Sequence, residues 1–127
     1  MTLAKNAHLL PRALGVLTAA YGGYTLARPQ SLVRQLHTDR PGTALKAGRA
    51  IGVRDLVSGL GMLAAPSGTA LNVAVAARVA ADTSDAVLLP RFTSERDRRN
   101  LIRAVALGWG ATCAAAGLWA ARKGAYR

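Results

Sequence analysis

The feature that most constrains this chain is an interval without charge. Residues 56–77, 22 in all, contain no Asp, Glu, Lys or Arg, while Arg54-Asp55 closes the interval on one side and Arg78, Asp82 and Asp85 on the other. One uncharged helix of that length crosses a bilayer once. Pro66-Ser67-Gly68-Thr69 interrupts it, however, and reads as a tight turn. The spacing therefore predicts a hairpin of two helices, about 45–65 and 70–89, the second ended by Pro90. On that second helix Arg78, Asp82 and Asp85 stand at i, i+4 and i+7 and share one face. On the first, Gly48, Gly52, Asp55 and Gly59 line a groove of missing side chains with one carboxylate in it, and Gly48-x-x-x-Gly52 has the small-x-x-x-small spacing of close helix contacts.

Composition decides between water and lipid. Hydrophobic residues make up 51% of the 127 residues, yet the aromatic ones are only two Trp, three Tyr and one Phe, and Gly occurs 13 times. A soluble core of this size fills its volume with larger side chains, whereas Ala and Gly suit helices whose backbones touch in lipid. The net charge of +11 is not laid out as a nucleic-acid-binding face. Of 17 basic residues, Arg54 and Arg78 alone lie well inside apolar stretches, Arg49 stands at the edge of one, and the other 14 fall in gaps and tails. That is the pattern of loops beside anionic headgroups. No RNP, helix-turn-helix or zinc motif accompanies it, so no nucleic acid is expected as a partner. The lone Cys113 excludes an intrachain disulfide and a multi-cysteine metal site, and reads as a small buried hydrophobe. No metal or cofactor is expected.

Two further helices complete the plan. The first, about 10–28, follows a short polar lead that resembles a signal-peptide n-region, but Arg28-Pro29 stands where a cleavage site would need small residues. It reads as a retained helix whose terminal arginines, Arg12 and Arg28, snorkel outward, with Tyr21 and Tyr24 in the interfacial belt. Ser31 to Leu36 predict a short interfacial turn with Leu32, Val33 and Leu36 facing lipid, and His8 and His37 read as solvated or headgroup-facing. The last helix, about 95–121, starts near Thr93 or Ser94 as N-cap and carries an uncharged core over 104–121, with Trp119 and Tyr126 at its far end. The expected fold is thus all-α: one domain over 1–127, a four-transmembrane-helix bundle of antiparallel up-down topology in the cell membrane. Ten basic residues on the side of the 28–49 and 90–103 connections, against five on the side of the termini, predict cytoplasmic connections. A faint echo links the first two helices. Eight of the 18 residues from Arg12 to Pro29 recur 37 positions later, from Arg49 to Pro66, as expected of small-residue helices in general or of an inverted repeat.

Depth gathers the charges. Arg54 lies eight residues past Lys46 and Asp82 eight before Pro90, so both sit about 12 Å in from the same side. Arg54, Asp55, Arg78, Asp82 and Asp85 are expected to meet as one cluster of net charge −1, with Arg49 near its mouth cancelling the excess. Two roles are open. The arginines hold bidentate bridges that lock the helices, or one crowded carboxylate of the Asp82/Asp85 pair keeps a proton and serves as general acid, proton carrier or ligand for a polar headgroup.

The string Gly48-Arg49-x-x-Gly52-x-Arg54-Asp55-x-x-x-Gly59, followed by Ala81-Asp82-x-x-Asp85-Ala86, resembles small four-helix integral membrane proteins of a domain-of-unknown-function family common in high-GC actinobacteria. The resemblance covers about residues 10–120, implies the same fold and the same charged positions, and implies no activity. Two functions remain in play. One is an accessory or assembly subunit whose glycine faces, on the second helix and at Gly108, Gly110 and Gly117, dock on a second copy or a larger membrane complex. The other is a membrane-embedded enzyme or carrier for a lipophilic small molecule. There Asp82 or Asp85, with Asp55 as a further candidate acid or base, acts as proton donor, and Arg54 or Arg78 as anchor, in a cyclisation, isomerisation or epoxide opening. A proton-coupled efflux protein has the same size but relies on an acid in its first helix, and this first helix has none.

Overall fold

Proline and glycine punctuation cuts the chain into five helices, seen in a computed structural model that describes residues 6–124. Helix α1 spans Leu9–Ala27 and ends ahead of Pro29. The short α2, Gln30–Leu36, stops at His37, whose left-handed backbone (φ 49°) turns the chain. Helix α3 runs Pro41–Ala64, four residues longer at its start than the spacing predicts. Pro41 occupies its first turn, where a missing N–H costs nothing, so the Pro-Gly pair opens the helix instead of marking a loop. Gly68, at φ 102°, makes the turn into α4, Thr69–Leu88. A 3-10 turn, Leu89–Phe92, carries Pro90, and α5 spans Arg96–Gly124. There Thr93 accepts a hydrogen bond from the Glu95 amide (3.2 Å) and donates one to the His37 carbonyl (3.1 Å). No strand occurs among the described residues. The expectation placed on Tyr126, and two of the five basic residues counted on the side of the termini, Lys5 and Arg127, lie outside them.

The long helices run up and down and join as two tight pairs, α1 with α3 and α4 with α5, with slighter contact between the pairs. The α1–α3 seam is made by absent side chains. A Cβ at Gly15 would stand 2.7 Å from the Gly59 carbonyl oxygen, one at Gly59 2.5 Å from the Gly15 oxygen, and one at Gly22 2.8 Å from the Gly52 oxygen. These contacts exchange under the 37-residue shift of the sequence echo, which takes Gly15 to Gly52 and Gly22 to Gly59. The seam therefore has an approximate two-fold.

Three layers fill the interior. Near the turn at 65–68, Leu14, Met62, Leu71, Val75, Cys113 and Ala116 form one apolar core. At the arginine-rich end Leu32, Leu36, Ala44 and Ile51 form another. This corrects the expectation for α2: Leu32 and Leu36 are buried, and Val33 packs against the same core. Between the two cores lies a polar layer whose largest member, Arg78, is also the largest fully buried side chain described. Of the described helices, only α5 (over Arg96–Lys123) is long and apolar enough to cross a membrane by length and composition. Arg54-Asp55 in α3 and the three charges of α4 lower the apolar character of those two helices, as do Gly and Tyr in α1.

Candidate functional site

The site is built where α3 and α4 cross. Asp55 shares the glycine face of α3 and is buried beneath Gly22 of α1, while Arg78 and Asp82 lie on the inner face of α4, one turn apart. Five side chains then form a row of alternating charge. Arg54 donates from Nη1 and Nη2 to the two oxygens of Asp85 (2.7 and 2.8 Å) and from Nε and Nη2 to Asp55 Oδ1 (3.0 and 2.8 Å). Arg78 donates from Nη1 to the same Asp55 oxygen and to Ser58 Oγ, and from Nη2 to Asp82 Oδ1, each at 2.8 Å. The order is Asp85, Arg54, Asp55, Arg78, Asp82: two cations between three anions, with a carboxylate at either end.

All five residues expected to meet do meet. Arg49 does not join them; it is exposed and takes part in none of these ion pairs. The reason is angular. At 3.6 residues per turn, Arg49 lies about 140° round the helix from Arg54 and about 120° from Asp55. The row keeps its net charge of −1.

Burial is graded along it. The Arg78 side chain is 1% exposed, those of Asp55 and Asp82 7%, Asp85 16% and Arg54 32%. Arg78 Nε and Asp82 Oδ2 are buried without a hydrogen-bond partner. Asp82 faces Gly110 of α5, where a Cβ would stand 3.1 Å from the Asp82 Cβ. Gly110 is thus the reason α5 can close over this carboxylate.

The slighter α1–α5 seam holds a cavity of about 640 Å³. Asp55, Arg78, Asp82 and Asp85 line part of it, Arg98 of α5 lines another part, and Leu17, Leu36, Leu101, Ile102, Val105 and Trp109 supply apolar surface. Trp109 Nε1 donates to Thr18 Oγ1 (3.1 Å) across the seam, and Tyr21 donates to Gln35 (3.1 Å) nearer the arginine-rich end. Among the described residues no group of three or more His, Cys, Asp or Glu is placed to hold a metal ion. The arrangement can receive a hydrogen-bond donor, a cation or a proton at one end and a hydrophobic body along the walls.

Sequence reasoning missed three participants. Ser58, the third acceptor for Arg78, sits one turn after Asp55 and was accessible to the same face argument. The Thr18–Trp109 bond joins residues 91 apart and has no local signal. His37 is exposed, as the reading of it as solvated or headgroup-facing expects, and in addition bonds Glu95 through Nδ1 and meets Arg98 at Nε2, both at 2.9 Å. The glycine faces read as docking surfaces are largely filled within the chain: on α3, Gly52 and Gly59 by α1 and Gly48 by Pro29 and Leu32; on α5, Gly110 by Asp82 and Gly117 by Val75, while Gly108 stands open beside the cavity. No family model, curated protein or solved structure matches the chain.

Proposed function

We propose that the protein is a small four-span membrane protein whose interhelical cavity takes a lipophilic small molecule by its polar end, with Asp82 and Asp85 as the receiving groups. One observation carries this: a largely apolar cavity of about 640 Å³ meets a charged row that ends in carboxylates and holds one anion too many. The excess charge, with Asp82 Oδ2 buried and without a hydrogen-bond partner, favours a cationic head over an uncharged one. The membrane half of the reading is supported by an inverted distribution of side chains. Arg78 and two aspartates are buried, while Val16, Val53, Val57, Val73, Val105 and Leu118 are each at least 47% exposed. Polar groups inside and apolar groups outside suit lipid as solvent.

In the catalytic form of this reading, a protonated Asp82 or Asp85 delivers its proton to the bound molecule, and Arg54 and Arg78 hold the flanking carboxylates in place. Loss of activity or transport in Asp82→Asn or Asp85→Asn is the expected outcome, and full retention in both would exclude it. Binding is tested first. Titration with dodecylamine, with dodecanol as its uncharged match, is followed through Trp109 fluorescence in a Trp119→Phe background. The amine is expected to give a saturable change, weakened at least about tenfold by Asp82→Asn, since a charge-assisted hydrogen bond is worth about 1.5–3 kcal/mol. Gly108→Leu, which projects a side chain beside the cavity, is expected to weaken amine and alcohol alike. Equal responses to the two ligands in the parent protein, or no saturable response, would overturn the proposal.

A second reading, an accessory or assembly subunit with a purely structural row, is favoured by the pairing within the chain: each arginine in the row bridges two carboxylates. Gly23 and Gly61 remain open for helix contact. A stable, partnerless monomer by mass in mild detergent would count against this reading.

A further inference from the structure

At the arginine-rich end, outside the cavity, a second depression of about 710 Å³ lies between the end of α4, the 3-10 turn and the start of α5. Its wall carries Arg91, Arg96, Arg99 and Arg103, with Asn100 beside them. None of the four arginines is in a salt bridge among the described residues. The two acids of the same segment do not line it; Glu95 is held by His37 at 2.9 Å, and Asp97 is on the wall of neither cavity. Arg96, Arg99 and Arg103 recur at i, i+3 and i+7, one face of α5, and span about 10 Å along its axis. Ala86, Val87, Pro90 and Thr93 complete the lining; Val87 and its neighbour Leu88 are more than half exposed, as is Leu107, one turn past Arg103 on α5.

We infer that this groove binds the headgroup of an anionic phospholipid carrying two phosphates, of the diphosphatidylglycerol type, with its acyl chains on the apolar strip of α4 and α5. Four guanidinium groups without carboxylate partners are a site for phosphate, which arginine receives through paired N–H donors. A reach of about 10 Å exceeds what one phosphate covers, so two are accommodated side by side. A free phosphate would make no use of the apolar wall; a lipid uses both halves. The arginine-rich ends of helices in a bilayer are where such basic pockets collect anionic headgroups. The inference rests on the membrane reading but not on the interior cavity.

Native mass spectrometry of the detergent-solubilised protein, offered cardiolipin, phosphatidylglycerol at equal phosphate, phosphatidylcholine and inorganic pyrophosphate, tests it. Cardiolipin is expected to be retained at concentrations about tenfold below phosphatidylglycerol, and phosphatidylcholine not at all. Arg99→Gln with Arg103→Gln is expected to remove the preference, whereas Arg122→Gln with Lys123→Gln at the opposite end leaves it unchanged. Equal retention of cardiolipin and phosphatidylcholine, or an unchanged preference in the groove variant, would overturn the site. Pyrophosphate displacing cardiolipin at equal concentration would make it a free-anion site and overturn the lipid assignment. Alkaline carbonate extraction of membranes, which the groove variants should not alter, separately reports whether the membrane reading itself fails.

Discussion

Truncating Arg78 removes the cation that Asp55 and Asp82 share in the middle of the molecule. Arg78→Ala is therefore expected to cost about 3–5 kcal/mol, as for breaking any buried ion pair from one side, read as a lowered melting temperature in detergent. Maleimide labelling of Cys113, buried in the parent protein, is expected to rise in parallel. Arg78→Lys is expected to recover only part of the loss, because one ammonium cannot reproduce a fork that meets Asp55, Ser58 and Asp82 together. A melting temperature unchanged in Arg78→Ala would mean that the Arg78 bridge contributes nothing to holding α3 to α4. These residues were legible in the sequence because hairpin symmetry equates depth with distance from the ends. Depth gives no azimuth, and that is why spacing alone puts Arg49 at the mouth of the row when its helix turns it away. Leu32 and Leu36 were misread for a related reason: a seven-residue helix looks interfacial in isolation, and only the core of Ala44 and Ile51 beneath it shows otherwise.

At the scale of the element, the glycines divide into two kinds. Gly22 and Gly59 bring α1 and α3 into backbone contact; a Cβ at the first runs into the Leu56 amide nitrogen, and at the second into that of Ala19. Gly23 and Gly61 face open space. Gly22→Ala or Gly59→Ala is expected to destabilise by about 1–3 kcal/mol through enforced separation of the helices. Gly23→Ala or Gly61→Ala is expected to be neutral or to stabilise by up to about 1 kcal/mol through helix propensity. Thermal unfolding of the four variants decides this, and equal effects in all four would remove the close seam. The groove on α3 was readable from its spacing. Its occupant was not, because Gly15, Ala19 and Gly22 complement it only once α1 is turned antiparallel and slid into register.

For the whole molecule, the expected outcome is retention in the membrane pellet after alkaline carbonate treatment; release into the supernatant would exclude the four-span reading. The order and direction of the helices followed from punctuation and charge, down to one or two residues at most ends. The cavity did not, because its volume depends on how far α1 stands from α5, a distance set by side chains some 90 residues apart such as Thr18 and Trp109. The charged row also bears on how such a chain enters a bilayer. Two of its contacts lie within single helices: Arg54 bonds its own neighbour Asp55, and Arg78 bonds Asp82 one turn on. On the membrane reading, the inner part of α3, past Lys46 and Arg49, is handed to the lipid as an electrically neutral rod and α4 with one uncompensated carboxylate, Asp85, which lowers the barrier to inserting each. The bonds from Arg54 to Asp85 and from Arg78 to Asp55 form only when the two rods meet, so the partition of α4 into the bilayer is completed by α3 already being there.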